Sequence, residues 1–93
     1  MPKWLARVAR ASVISFVDRV NRRTFTLRVL AWLPIDKRIQ CKLSLEDGRG
    51  KVLGYINLDS ADRSVLIFGP CDICVTDISA NGSMIHIALM ADD

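Results

Sequence analysis

Three cysteines and one histidine are the residues of this 93-residue chain with the clearest capacity for chemistry. Cys71 and Cys74 form a CxxC pair, a spacing that occurs in redox-active sites and in zinc sites. Zinc would need two further ligands, which only Cys41 and His86 could supply. Residues three apart in an extended strand point to opposite faces, so the pair does not converge on one ion. We therefore expect the cysteines to act as small buried hydrophobes, with no metal and no cofactor.

Residues for catalysis are scarce. His86 stands between Ile85 and Ile87 in an alternating stretch, which places it on the surface side of a strand. It has no nucleophile motif beside it, and the chain has no glycine-rich phosphate loop followed by a helix. Asp59 and Asp62 read as turn formers. We therefore do not expect an enzyme.

Arginine side chains between residues 19 and 28 give the strongest indication of binding. Guanidinium groups bind phosphates through paired hydrogen bonds. Arg22 and Arg23 border a predicted turn and should be exposed, and a β-sheet face beside them suits RNA or single-stranded DNA. A solvated positive face without a ligand is the alternative. The predicted nucleic-acid-binding residues are Arg19, Arg22, Arg23 and Arg28, with support from Arg7, Arg10 and Lys37.

Charge is distributed unevenly along the chain. Residues 1–38 hold nine basic and two acidic side chains, a net charge of +7, whereas residues 39–93 hold four basic and eight acidic ones, a net charge of −4. The whole chain carries +3. A basic half of this kind is suggestive of a polyanion as partner.

Composition indicates one folded domain over residues 1–93. The chain is 51% hydrophobic and 25% charged, which excludes intrinsic disorder. No apolar run approaches the ~20 residues that a membrane-spanning helix needs. An odd number of cysteines fits a reducing compartment, and no secretory signal is recognisable, so we expect a cytoplasmic protein.

Hydrophobic periodicity predicts an amphipathic helix over residues 2–20. Pro2 suits the first helical turn, and apolar side chains from Leu5 to Val20 gather on one broad face. The alternative is a helix that ends near Arg10, followed by a strand at Ser12–Val17, because that segment is rich in β-branched residues. A wide apolar helix face on so small a domain also predicts a homo-oligomer or a protein partner that covers residues 5–20.

From Arg23 onward the hydrophobic period changes to two, which is typical of half-buried strands. About six strands separated by short turns predict a small antiparallel β barrel or roll, giving a mainly β (α+β) fold with the helix at its start. Asp47-Gly48 marks a hairpin turn, and Gly54 marks a bulge or bend. The residues expected to share one core are Phe25, Leu27, Val29, Ile39, Cys41, Leu43, Ile85 and Ile87.

Two fragments resemble families that bind RNA. Val75-Thr76-Asp77-Ile78 and the stretch to Ile87 resemble strands of the CsrA/RsmA regulators over about residues 64–91, without that family's basic first strand or C-terminal arginine. Leu45-Glu46-Asp47-Gly48-Arg49 with Gly54 resembles the first Sm/Hfq signature, with the glycine spacing displaced by one. Both resemblances imply a small RNA-binding β protein.

A third fragment pair resembles the PilZ family, which binds cyclic di-GMP. Arg22-Arg23 and the run Asp77 to Gly82 match its arginine motif and its [D/N]xSxxG motif. The gap between them is longer than in the family, and Leu27 stands where a second arginine is expected. Since each of the three resemblances covers only a fragment, we assign the chain to none of these families.

The sequence therefore predicts a non-catalytic binding protein, with RNA or another nucleic acid as the leading partner. The alternative is a protein-interaction module, such as a small assembly subunit or a phage-type inhibitor, that docks through the helix or an edge strand. A cyclic-dinucleotide-binding barrel is the third interpretation.

Overall fold

The computed structural model describes residues 3–62, 64–69, 71–81 and 83–91. These residues form eight β-strands joined by short turns. The strands are β1 (Lys3–Val8), β2 (Val13–Asp18), β3 (Arg23–Ile35), β4 (Arg38–Asp47), β5 (Val52–Asp59), β6 (Val65–Phe68), β7 (Ile73–Asn81) and β8 (Met84–Ala91). The six strands predicted after Arg23 correspond to β3–β8.

The strands form two antiparallel sheets rather than a closed barrel. One sheet has three strands in the order β1-β8-β7, and the other has five in the order β2-β3-β4-β5-β6. Among the described residues, no ladder joins β1 to β2 or β6 to β7, so both sheets keep open edges. The prediction of a closed barrel or roll is therefore wrong, although the predicted antiparallel pairing of the strands is correct.

The predicted helix over residues 2–20 is also wrong. The described part of the chain contains no helix, and residues 3–18 form β1 and β2 instead. Burial alternates along both strands: Ala6 and Val8 point inward while Leu5 is exposed, and Phe16 is buried between exposed Ser15 and Val17. The apolar residues fit a period of two once the chain turns at 9–12, and the β-branched side chains of β2 favour the extended form. The strand of the alternative prediction, at 12–17, is thus confirmed, whereas the helix that this alternative placed before it, ending near Arg10, is not. Pro2, the predicted helix start, lies outside the described residues.

A left-handed residue makes the turn between β1 and β2 possible. Ala11 has φ 61°, and Ser12 closes the turn because its backbone N–H donates to Ala9 O (3.1 Å) while its Oγ accepts from Ala9 N–H (2.9 Å). This tight reversal sends β1 into the three-stranded sheet and β2 into the five-stranded sheet. The apolar helix face that was expected to recruit a partner therefore does not exist, and Leu5, Val13 and Val17 lie exposed on strands.

A single apolar cluster lies between the sheets. Seven of the eight predicted core residues are buried in it, and Val29 packs against it, so this prediction is confirmed. Trp4, Phe16 and Phe25 form its aromatic part: the Phe25 ring centroid lies 4.9 Å from that of Trp4 and 5.1 Å from that of Phe16. Since Trp4 belongs to the three-stranded sheet and the two phenylalanines to the other, these contacts join the sheets.

The longest strand, β3, extends past its neighbour. β2 pairs with residues 23–28 of β3 only, whereas β4 pairs with β3 as far as Ile35. A register shift between Val29 and Ala31 marks a bulge where β2 pairing stops. The β3–β4 pair thus projects as a hairpin whose tip is the turn at Asp36 and Lys37. No helix in the described part of the chain is long and apolar enough to cross a membrane.

The predicted irregularity at Gly54 is present and has a steric cause. The β4–β5 register shifts next to Gly54, between Leu45 and Glu46. A Cβ at position 54 would lie 2.7 Å from Phe68 O, so only glycine permits β6 to approach β5 this closely.

Candidate nucleic-acid interface

The seven predicted binding residues lie in three separate places. Arg19, Arg22 and Arg23 lie on or beside the β2–β3 turn, and Arg28 lies mid-strand in β3, opposite Val13 of β2, with its side chain lining the same depression as Arg22 and Arg23. Arg10 and Lys37 lie at the opposite end of the five-stranded sheet, and Arg7 is on the outer face of the three-stranded sheet. The structure therefore does not bring all seven together. We call the region of the β2–β3 turn (19–22) and the β4–β5 turn (48–51) the turn end, and the region of the β1–β2 turn (9–12) and the β3–β4 turn (36–37) the hairpin end.

At the turn end, Asp18 organises the β2–β3 turn from a fully buried position. Its Oδ1 accepts from the backbone N–H of Val20 (3.1 Å) and Asn21 (3.3 Å), and its Oδ2 accepts from Asn21 Nδ2 (2.8 Å) and Arg23 Nε (3.1 Å). The hydrogen bond from the Asn21 side chain, opposed by burial and reinforced by the other donors, lowers the pKa of Asp18 below its ordinary value. The carboxylate thus holds the turn as an ion.

Arg23 is the second member of this network and is not free to bind a ligand. Its Nη1 donates to Asp72 Oδ2 at 2.7 Å while its Nε donates to Asp18, so it links the five-stranded sheet to the segment before β7. Its side chain is only 29% exposed. Arg22 is exposed as expected, but the expectation that Arg23 is exposed is wrong, because two carboxylates draw its guanidinium against the protein.

Arg28 is also held by a carboxylate. Its Nε donates to Glu46 Oε2 at 2.8 Å across the β3–β4 ladder, and Ser44 Oγ donates to the same oxygen at 3.2 Å. The bond from Arg28 lowers the pKa of Glu46 despite some desolvation. Of the four arginines predicted at this end, only Arg19 and Arg22 have no ion pair within the described residues, and exposed Arg49 joins them from the β4–β5 turn.

At the hairpin end, cations surround an aromatic ring. A depression of about 500 Å³ is lined by Arg10 from the β1–β2 turn, by Asp36, Lys37 and Arg38 at the β3–β4 turn, and by Trp32 and Pro34 of β3. All three cations are exposed and Trp32 is half-buried. Arg10 and the pair Lys37 and Arg38, which are 27 and 28 positions away in the chain, are thus gathered at one surface, because the projecting β3–β4 hairpin lies beside the β1–β2 turn.

The cations at the hairpin end have two carboxylates near them, Asp36 in the lining of the same depression and Asp59 beside Arg38. Arg38 Nη1 lies 3.7 Å from Asp59 Oδ2, a long contact between partly exposed groups. Asp59 is already satisfied by the backbone N–H of Ala61 and by Gln40 Nε2, and these bonds lower its pKa. Arg10 and Lys37 form no ion pair within the described part of the chain.

Arg38 is the member of this group that the sequence reasoning missed. Its position directly after Lys37, beside a predicted turn at Pro34 and Asp36, was the available signal. Trp32 was missed because its aromatic type suits a core position, and because the register shift between Val29 and Ala31, which sets the face on which it lies, is not visible in the sequence. The sequence does not show that the β1–β2 turn lies beside the β3–β4 turn, because this proximity depends on the strand order and register of the five-stranded sheet.

The cysteines occupy three different surroundings. Cys41 is buried in the core, where desolvation raises its pKa to about 11. Cys71 Sγ donates to Ile73 O (3.1 Å) and Cys74 Sγ donates to Met90 O (3.6 Å), so the two thiols of the CxxC pair contact different strands. Within the residues that the structure describes, no group of three or more His, Cys, Asp or Glu side chains is placed to hold a metal ion.

Scans against protein-family models, curated proteins and solved structures find no match to this chain. They therefore lend no support to the CsrA/RsmA, Sm/Hfq or PilZ resemblances. The two parts of the PilZ-like pattern lie on different elements, since Arg22 is in the β2–β3 turn and Asp77 is in β7 of the three-stranded sheet.

Proposed function

We propose that the protein is a non-catalytic domain that binds single-stranded RNA through the hairpin end. The observation that carries this proposal is the convergence of Arg10, Lys37 and Arg38 around Trp32. These are the two ingredients of single-strand binding: cations that follow the phosphates and an aromatic face on which a base can stack. The turn end has exposed cations of its own in Arg19, Arg22 and Arg49, but it does not offer the aromatic face, because Phe25 is buried.

Each side chain has a distinct part in this binding. Arg10 and Arg38 present guanidinium forks to phosphate oxygens, and Lys37 at the hairpin tip contributes a mobile point charge. Trp32 takes a base on its exposed part, and adjacent Pro34 extends the apolar surface. Because stacking needs only the flat face of a base, we expect little sequence preference.

Two charge-matched triple variants test this assignment. Arg10→Ala/Lys37→Ala/Arg38→Ala removes three cations from the hairpin end, and Arg19→Ala/Arg22→Ala/Arg49→Ala removes three exposed ones from the turn end. Fluorescence anisotropy of a labelled oligouridine, measured over a range of salt concentrations, gives the slope of log affinity against log salt. We expect the first variant to reduce that slope by about 2, since each lost phosphate contact contributes ~0.7, and the second to change it little.

Two results would contradict the proposal. Equal losses in both variants would indicate diffuse attraction of a basic protein to a polyanion. An absence of binding by the wild-type protein at low salt, where electrostatic attraction is strongest, would remove RNA as the partner.

A homodimer interface is the second candidate, and one surface favours it. Tyr55, Leu66 and Phe68 lie exposed on the outer face of the five-stranded sheet near its β6 edge. The adjoining depression is lined by Lys42 and by Asp59 and Asp62, so it offers both charges to a second copy related by two-fold symmetry. Sedimentation of wild type and Leu66→Asp tests it: a dimer that dissociates in the variant supports this interface, and a monomeric wild type rejects it.

A further inference from the structure

Three polar side chains form a row across the outer face of the three-stranded sheet. His86 of β8 is the register partner of Arg7 in β1 and of Ser79 in β7. Their chain neighbours Val8, Ile78 and Ile87 are buried in the core, so the row faces away from it. Because adjacent strands lie about 4.8 Å apart, the row spans about 10 Å.

The chemistry of this row suits a phosphate group. A guanidinium, an imidazole and a hydroxyl can all donate hydrogen bonds to phosphate oxygens. None of the three side chains has a hydrogen bond or ion pair with another described residue. The fold therefore does not use these groups, and their donors remain available to a ligand.

A second row lies two residues further along the strands and has a different character. Ala88 of β8 pairs with Leu5 of β1 and with Asp77 of β7, so an exposed apolar side chain and a carboxylate flank a small residue. A bulge between Val75 and Asp77 places the Asp77 carboxylate on this outer face, where regular alternation would turn it inward. Both rows line one depression of about 440 Å³.

We propose that this depression binds a nucleoside 5′-monophosphate. The phosphate lies over Arg7, His86 and Ser79, because the Asp77 carboxylate repels it from the second row. The rows are about 7 Å apart, so the nucleoside lies over Ala88, with an apolar contact to Leu5 and a hydrogen bond from a ribose hydroxyl or a base amino group to Asp77. This site is separate from the hairpin end and does not depend on RNA binding there.

Calorimetric titration of the full chain with adenosine 5′-monophosphate, adenosine and inorganic phosphate tests the site. We expect the monophosphate to bind more tightly than either fragment. Arg7→Ala should weaken its binding about tenfold or more, which is the usual effect of losing a charged hydrogen bond. Lys3→Ala is the matched control, since Lys3 lies on the same face of β1 opposite Met90 and outside the depression. That variant should change affinity by less than about twofold.

A further variant separates the two rows. Asp77→Ala should lower the ratio of nucleoside monophosphate affinity to inorganic phosphate affinity, because it removes the acceptor that only the nucleoside uses and a charge that repels both anions. The hairpin-end triple variant should keep the site intact, which distinguishes this proposal from the RNA proposal. Circular dichroism verifies that each variant is folded.

Three outcomes would overturn the proposal. The first is no saturable binding of the monophosphate at millimolar concentration. The second is an equal loss in Lys3→Ala and Arg7→Ala, which would indicate only nonspecific attraction. The third is retention of full affinity in folded Ser79→Ala and Arg7→Ala variants.

Discussion

Basic side chains stand near both ends of β3, yet their surroundings differ. At the turn end, Asp18, Asp72 and Glu46 bind Arg23 and Arg28 at 2.7–3.1 Å. At the hairpin end, the closest such contact among the described residues is the 3.7 Å approach of Arg38 to Asp59. The same residue type thus stabilises the fold at Arg23 and Arg28 and stays exposed, with no ion pair among the described residues, at Arg10, Arg19 and Arg22. Partners across the ladder, rather than local charge density in the sequence, decide which role an arginine has.

Aromatic residues also differ between the two ends, and replacing one of them with alanine gives the largest expected effect on stability. Phe25 is 1% exposed and contacts both Trp4 and Phe16, whereas Trp32 is half-buried beside the hairpin tip. Phe25→Ala should lower the free energy of unfolding by about 3–5 kcal/mol, the usual cost of emptying a phenylalanine site. Trp32→Ala should cost clearly less. Urea denaturation followed by circular dichroism compares them, and equal losses would contradict the division between the ends.

Trp32, whose replacement should cost less stability than that of Phe25, should matter more for RNA affinity. Trp32→Ala should weaken oligouridine binding by about 1–3 kcal/mol, the range for loss of one stacked base. A conservative Trp32→Phe variant should retain part of this affinity, since it keeps an aromatic face. Fluorescence anisotropy at constant salt provides the measurement, and Leu33→Ala, an exposed neighbour on the same strand, is the control. Unchanged affinity in Trp32→Ala would show that the ring takes no part.

Much of the five-stranded sheet could be predicted from residues 23 onward. Strict alternation in segments such as Ile39 to Leu45 identifies which side chains are buried, because a strand exposes every second residue. Residues 3–18 could not be assigned in this way. The apolar side chains of two six-residue strands and the turn at 9–12 happen to recur at the spacing of an amphipathic helix. The left-handed turn residue between the strands is Ala11 rather than glycine, so the sequence carries no turn signal there.

The candidate sites could be predicted only in part. Arg10 and Lys37 were identified from their charge, but nothing local shows that they meet at Trp32. Equally, the pairing of Arg28 with Glu46 follows from the β3–β4 register, which the bulge at Val29 displaces by one residue. Ion pairs between strands depend on register, and a one-residue shift moves a side chain to the other face.

Acid should weaken the turn end in particular. Because the folded-state pKa of Asp18 lies below its ordinary value of 3.8, its contribution to stability is complete above pH 3.8 and is lost as the pH falls through the folded value. Asp18→Asn should therefore be less stable than wild type at neutral pH, and the difference should shrink below about pH 4. Asp36→Asn at the hairpin end is the control, as that side chain has no hydrogen bond among the described residues. A difference that persists undiminished in acid would show that packing, not charge, makes Asp18 stabilising.

Backbone strain at the two turns gives the smallest expected effect. Arg22 at the turn end has φ 52° and Asp36 at the hairpin end has φ 53°. Left-handed backbone costs most L-residues about 1–2 kcal/mol but is tolerated by aspartate, and glycine relieves it at some entropic cost. Arg22→Gly should therefore raise the free energy of unfolding by about 0.5–1 kcal/mol relative to Arg22→Ala, which loses the same charge but keeps the strain. Asp36→Gly should change stability by less than about 0.5 kcal/mol. Urea denaturation measures all three variants, and equal stability of Arg22→Gly and Arg22→Ala would refute strain at the turn end. RNA affinity should be the same in those two variants, because the proposed interface lies at the other end of β3.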